Sequence, residues 1–256
     1  MTLGLLSDIH YYSKPYRLRS ALRLLKGSET ILIVGDIADR GTAQQFSAVL
    51  DILAEEAPNA AIFPVCGNHD IQDDGSAYRE FEETVLRRFS SDYSVTRSTT
   101  GAYCVRLDED TDLFGLNPLY YQKVFHFPRQ GEQLDFLEAQ LEKSTAKHHI
   151  VICHPPLIAH NPQRTSDMLP YFPKEQDKRL QNITEKYGNI FFLSGHTHFA
   201  PTVEQDKIHN VTYINDGSIN PTTVGKNGET QPGNVFQLDF DNAVEPKSQL
   251  ISVWPR

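Results

Sequence analysis

Seven side chains suited to holding divalent cations fall in five short clusters: Asp8 and His10, Asp36, Asn68, His154, and His196 with His198. Every cluster closes an apolar run, at residues 3–7, 31–34, 61–66, 150–153 and 190–193. In an extended chain residues two apart project to one side, so Asp8 and His10 can grip the same ion. Gly35 allows a tight turn ahead of Asp36, and a carboxylate there can bridge two cations. In Gly67-Asn68-His69-Asp70 the types divide the labour: an amide oxygen for a metal, an imidazole for proton transfer, and a carboxylate to orient that imidazole. His154 precedes Pro155-Pro156, which hold the chain extended as it leaves its strand, and the alternating His196 and His198 follow Gly195. A solvated surface has no need of imidazoles, amides and carboxylates at so many strand ends.

Two further side chains are candidates for contact with substrate. Arg40 could hold a phosphate oxygen in a bidentate fork, or could pair with Asp39 ahead of the helix beginning near Thr42. His160 lies in 155–173, a stretch rich in Pro, Asn, Ser and Asp that reads either as a lid over the site or as a plain surface connection. The remaining histidines, His126, His148, His149 and His209, fall outside the clusters, and packing explains them best.

Short apolar runs separated by amphipathic stretches are the elements that must position these groups. Apolar spacing of three and four predicts helices over 16–26, 42–56, 76–89, 130–143 and 174–187. Residues 102–107 and 112–116 read as a hairpin, and 211–214, 235–240 and 249–253 as later strands. Runs this apolar must be covered on both faces. The expected fold is α/β: two mixed β-sheets packed face to face and flanked by helices, a four-layer αββα sandwich formed by residues 1–256 as a single domain.

The 256 residues carry a formal charge of -9, which argues against broad contact with a nucleic-acid duplex or an anionic membrane. An anion can still be drawn to one spot by bound cations. No apolar segment approaches the roughly 20 residues that span a bilayer, and residues 1–7 read as a first strand, not a signal. Cys66, Cys104 and Cys153, an odd count within apolar runs, suit buried free thiols in a reducing, cytoplasmic setting.

Taken in order, Asp8-x-His10, Gly35-Asp36, Gly67-Asn68-His69-Asp70, His154 and Gly195-His196-x-His198 resemble the calcineurin-like metallophosphoesterase family. The resemblance implies the two-sheet sandwich with a dinuclear site at one end. By position, Asp8, His10 and His198 would hold one ion, Asn68, His154 and His196 the other, and Asp36 would bridge. His69 would then serve as general acid to the leaving group, with Asp70 behind it. The implied cofactor is two divalent ions, Mn, Fe or Zn, whose shared water attacks phosphorus in line. Cys153-His154-Pro155-Pro156 is similar to the bacterial cyclic-nucleotide phosphodiesterase branch, which points to a small phosphodiester. A phosphomonoesterase or protein phosphatase with the same site, and a non-catalytic scaffold, are the rival readings.

Overall fold

The computed structural model describes residues 1–72, 77–87, 93–162, 171–220, 222–224, 229–240 and 247–253. Along the chain run β1 (Thr2–Leu6), α1 (Tyr16–Leu24), β2 (Thr30–Val34), α2 (Ala43–Glu56), β3 (Ala61–Val65), α3 (Asn68–Ile71) and α4 (Tyr78–Phe81). The strands β4 (Val95–Arg97), β5 (Tyr103–Asp108), β6 (Thr111–Leu116), β7 (Leu119–Tyr121) and β8 (Val124–His126) follow. Then come α5 (Pro128–Lys143), β9 (His148–Cys153), α6 (Lys174–Tyr187), β10 (Ile190–Ser194), β11 (Thr202–Asp206) and β12 (Val211–Asn215). The last strands are β13 (Thr222–Val224), β14 (Glu229–Gln231), β15 (Gly233–Asp239) and β16 (Lys247–Val253).

These strands build the two expected mixed sheets, ordered β16-β15-β1-β2-β3 and β11-β12-β10-β9-β6-β5-β4. The inner layer is one apolar cluster that draws on both sheets, with Leu5, Ile33 and Val65 from the first and Leu113, Ile152, Leu193 and Ile214 from the second, all buried. The first sheet's other face is covered by α1 and α2. Leu18, Ala21 and Leu22 of α1 and Phe46, Val49, Leu50 and Leu53 of α2 bury at helical spacing, and the Thr42 side chain accepts the Gln45 amide as an N-cap. On the second sheet's outer face, α5 and α6 bring Leu134, Leu137, Leu180 and Ile183 against Phe114, Val151 and Phe192.

Parallel pairing is what matters for function. β1, β2 and β3 are mutually parallel, as are β6, β9, β10 and β12. Their carboxyl ends carry the candidate clusters, and the crevice beyond the carboxyl ends of parallel strands is where α/β sheets place ligands.

Two helix expectations differ from the structure. Within 76–89 the described residues form α4 and then a π turn, Glu82–Leu86, in which the adjacent Val85 and Leu86 are both buried. Regular geometry in α5 starts late, because Arg129, Gln130 and Gly131 all have positive φ. Buried Gln133 fixes that start: its side chain bonds the Asn117 amide and the Thr100 and Asn117 carbonyls. Of the stretch 155–173, residues 163–170 lie outside the described residues, and the lid reading with them.

Candidate metal centre

The rim is laced together before any side chain is considered. The Asp8 amide donates to the Gly35 carbonyl (3.0 Å) and the His10 amide to that of Asp36 (2.9 Å), while Gly195 donates to His154 (2.9 Å). Other bonds cross between the sheets. His154 Nδ1 meets the Val34 carbonyl at 2.7 Å, and the His196 amide donates to Asp8 Oδ2 at 2.9 Å. Gly35, at φ 86°, tolerates no side chain, since a Cβ there would run into the His154 ring. Five of the predicted ligands, Asp8, His10, Asp36, His196 and His198, have φ between 44° and 70°. Non-glycine residues in that region carry strain that persists only where the surroundings impose it, and such strain gathers at functional sites.

The side chains then converge. Asp8, His10 and His198 offer ligand atoms within 4.8 Å of one another, as do Asp36, His154 and His196. A third group, His10, Asp36 and His69, links the first two. His10 Nε2 lies 3.0 Å from His198 Nε2 and 3.6 Å from Asp36 Oδ2, while His154 Nε2 sits 3.3 Å from the same Asp36 oxygen. Phe125 and Tyr171 pack edge-on against the His196 ring, walling that side with carbon.

Electrostatics keeps the carboxylates ionised and His196 neutral, ready to ligate, whereas His154 must release a proton to do so. Burial raises the Asp8 and Asp36 carboxyls, yet the imidazoles around them win, holding Asp8 well below the usual range and Asp36 at about 2. Burial pulls His154 down, but the charges of Asp36 and Asp8 lift it to about 10. His196, half-buried beside His154, is held down by desolvation and the neighbouring imidazole to about 3, a neutral ring with a lone pair to give.

Whether a cation fits is decided by what the protein leaves unmet. Asp8 Oδ1, Asn68 Oδ1 and His154 Nε2 are buried and make no well-formed hydrogen bond among the described residues; Asp8 Oδ1 faces His198 Nε2 at 3.0 Å and His154 Nε2 faces Asp36 Oδ2 at 3.3 Å, each one candidate ligand against another. Such an atom costs about 1–3 kcal/mol, and these three stand on three different strand ends around Asp36. Mixed carboxylate, amide and imidazole donors suit a divalent ion.

One assignment needs correcting. Asp70 does not stand behind His69: its carboxylate accepts the amides of Ile37 (3.1 Å), Ala38 (2.8 Å) and Gly67 (2.9 Å), tying the β2 and β3 exits together. Burial, then the Asp36 charge, push it up to about 7 against the pull of those amides. His69 is instead oriented by the Asp39 carbonyl, 3.0 Å from Nδ1, and its own amide donates to Asp36 Oδ1 at 2.8 Å. The two substrate candidates lie differently. The Arg40 guanidinium is exposed, 5.3 Å over the Tyr12 ring and 3.7 Å from Asp39. His160 stacks on Tyr213 and bonds Glu204, and it belongs to none of the ligand groups.

Sequence reading missed the residues that brace Asp8. The Ser7 hydroxyl lies in hydrogen-bond contact with both Asp8 and Asp216, at 2.6 Å from the latter, and its single proton can go to only one of them. Asn220 donates to the Asp8 and Ile9 carbonyls, and Asn215 to the Gly195 carbonyl at 2.7 Å. A signal was present: Asn215-Asp216 ends the apolar run of β12 as the other clusters end theirs.

Residues 1–200 match the family model for calcineurin-like phosphoesterases. The chain belongs to that family. It is a metallophosphoesterase, a hydrolase of phosphate esters whose cofactor is divalent metal. Among curated proteins none matches it in sequence. Solved structures share its fold. One is TT1561 of Thermus thermophilus, at 12% identity over 99% of both chains with a TM-score of 0.59. Purple acid phosphatase PPD1 from yellow lupin (Lupinus luteus) seeds is 12% identical over 93% of this chain and 49% of its own, with a TM-score of 0.62. The 5'-nucleotidase of Candida albicans is 13% identical over 98% of this chain and 52% of its own, with a TM-score of 0.54. The chain thus spans about half the length of the latter two.

Proposed function

We propose that this phosphoesterase hydrolyses a small phosphodiester, cyclic nucleotides among the candidates, at a site of two divalent ions of Mn, Fe or Zn. The observation that carries the reading is the set of three buried ligand atoms without a well-formed hydrogen bond, Asp8 Oδ1, Asn68 Oδ1 and His154 Nε2, around Asp36. Asp8, His10 and His198 would hold one ion, Asn68, His154 and His196 the second, and Asp36 would serve both. Ions bound there would lower the pKa of a water molecule to about 7 and offset charge building on the phosphoryl oxygens. His69 delivers a proton to the leaving oxygen. With Nδ1 turned to the Asp39 carbonyl, Nε2 is the nitrogen left for that transfer, and ring centroids 4.4 Å apart place it against His10. The net charge of -9 and three free thiols support a small cytoplasmic substrate over a duplex, and residues 1–256 work as one domain.

The test assays Mn²⁺-loaded protein on paired mono- and diester aryl phosphates, then on cyclic nucleotides, with Asp36→Asn as control. Loss of turnover in that variant is expected, and unchanged turnover would refute the shared-ligand role. His69→Ala should slow substrates with poor leaving groups most, and an equal loss across leaving groups counts against the acid role.

A further inference from the structure

Beside His10 a cleft of ≈ 230 Å³ opens between the β1 exit and α1, lined by Tyr12, Lys14, Tyr16, Arg17 and Asn220 as well as His10 itself. It is too small for a whole drug-sized ligand, for which pockets run from about 300 Å³ upward, but it has room for one substituent of an ester. Its chemistry is unusual for this chain. Against a net charge of -9 the lining holds Lys14 and Arg17 and no carboxylate. Two of its walls are tyrosines that the fold leaves out of the core, Tyr12 at 61% exposure and Tyr16 at 42%. Both are held rather than loose: the Arg40 guanidinium lies 5.3 Å over the Tyr12 ring and that of Arg17 lies 5.9 Å over Tyr16. Arg17 in turn donates to Asn220 Oδ1 at 2.6 Å, and Asn220 donates to the Asp8 carbonyl. Tyr16 is therefore linked through Arg17 and Asn220 to the backbone of Asp8, a metal-ligand candidate.

From this we infer that the cleft is a specificity subsite for a planar aromatic substituent of the phosphate ester, a nucleobase or an aryl ring. The ring stacks on Tyr12 and Tyr16, Lys14 and Arg17 face the anionic part, and the phosphorus lies beyond His10 at Asp36. Stacking accepts any flat π face, so it selects a class rather than one base. The inference rests on the phosphoesterase reading above for the position of the phosphorus, but ring binding can be measured without turnover.

The experiment compares affinities of the Mn²⁺-loaded full chain for adenosine 5'-monophosphate, phenyl phosphate and ribose 5-phosphate by calorimetry, in wild type and in Tyr12→Ala/Tyr16→Ala. Alanine replacement of one stacking ring is worth ~1–3 kcal/mol, so adenosine monophosphate should bind at least about 5-fold tighter than ribose 5-phosphate. The variant should lose that margin while keeping the wild-type melting temperature. Phenyl phosphate sharing the advantage identifies an aryl subsite, and its failing to do so identifies a nucleobase subsite. Equal affinity of the base-bearing and ring-free phosphates in wild type overturns the inference, as does a variant that weakens both alike. In parallel, KM for a nucleoside p-nitrophenyl diester should rise at least about 5-fold more in the variant than KM for a ring-free diester. If no ester is turned over at all, the hydrolytic reading fails while the calorimetry still decides the subsite.

Discussion

Loading the centre with divalent ions should stabilise the fold by an amount that the structure sets. Asp8 Oδ1, Asn68 Oδ1 and His154 Nε2 are buried and lack a well-formed hydrogen bond, each at about 1–3 kcal/mol, so relieving all three yields ~3 kcal/mol at the low end. Mass action gives a similar figure, since an ion at 100 times its Kd contributes about 2.7 kcal/mol. For a chain of this size each kcal/mol moves the melting temperature by about 2–4 °C, and the expected rise is roughly 6–12 °C. The assay is a thermal melt of chelator-stripped protein with and without saturating Mn²⁺, repeated on Asp36→Asn. That substitution keeps an oxygen for the His69 amide while removing the charge that faces His10 and His154, so the rise should shrink to a few degrees. A wild-type rise under about 2 °C, or an undiminished one in the variant, would refute the argument from these three atoms.

Asp70→Asn should cost about 1–3 kcal/mol in denaturant melts, because its amide can accept from the Ile37 and Gly67 side but then faces the Ala38 N–H with another donor; a stable variant that instead loses activity as His69→Ala does would restore the orienting role. Gly35→Ala must hold φ near 86° and press into the His154 ring, so ion affinity measured by dialysis should fall at least tenfold, and an unchanged affinity contradicts the close approach. Burial lowers the His149 imidazole, so the unfolded chain binds the extra proton and stability climbs as pH rises toward 6.5; His149→Gln should flatten that part of the stability profile, and an unchanged slope assigns it to other groups. Burial raises all three thiols, Cys104 to about 12, so a thiol reagent should leave the native protein unlabelled over the time in which the denatured chain reacts at Cys66, Cys104 and Cys153.

The strand-end ligands were legible because two short-range signals coincide: an apolar run tells where a strand stops, and a residue type outside the turn repertoire tells why the next position matters. His69 and His196 could be found that way. The role of Asp70 could not, since its three partners come from two loops joined only by the fold, and nothing local separates a carboxylate that faces an imidazole from one that collects amides. The same holds for Ser7 and Asn220, ordinary polar residues whose partners lie 209 and 212 positions away in the chain. Among elements, α6 was readable to the residue because its buried Leu180 and Ile183 sit among charged neighbours. The strands β7 and β8 are apolar but only three residues each, too short for an alternation to show, and β11 carries no apolar run.

Within the first sheet, β1 is flanked on one side by β2 and on the other by β15, with Thr2 opposite Asp239 and Leu5 opposite Phe236. The strand that delivers Asp8 and His10 is thus completed by a segment beyond residue 200, where the family match stops. A nascent chain holding every ligand would still have an open seam beside its first strand, with unpaired amides ready to recruit a stray β-segment. The final hairpin therefore acts as a latch: truncation ahead of 233 should yield aggregation rather than a smaller working hydrolase, although no ligand has been deleted.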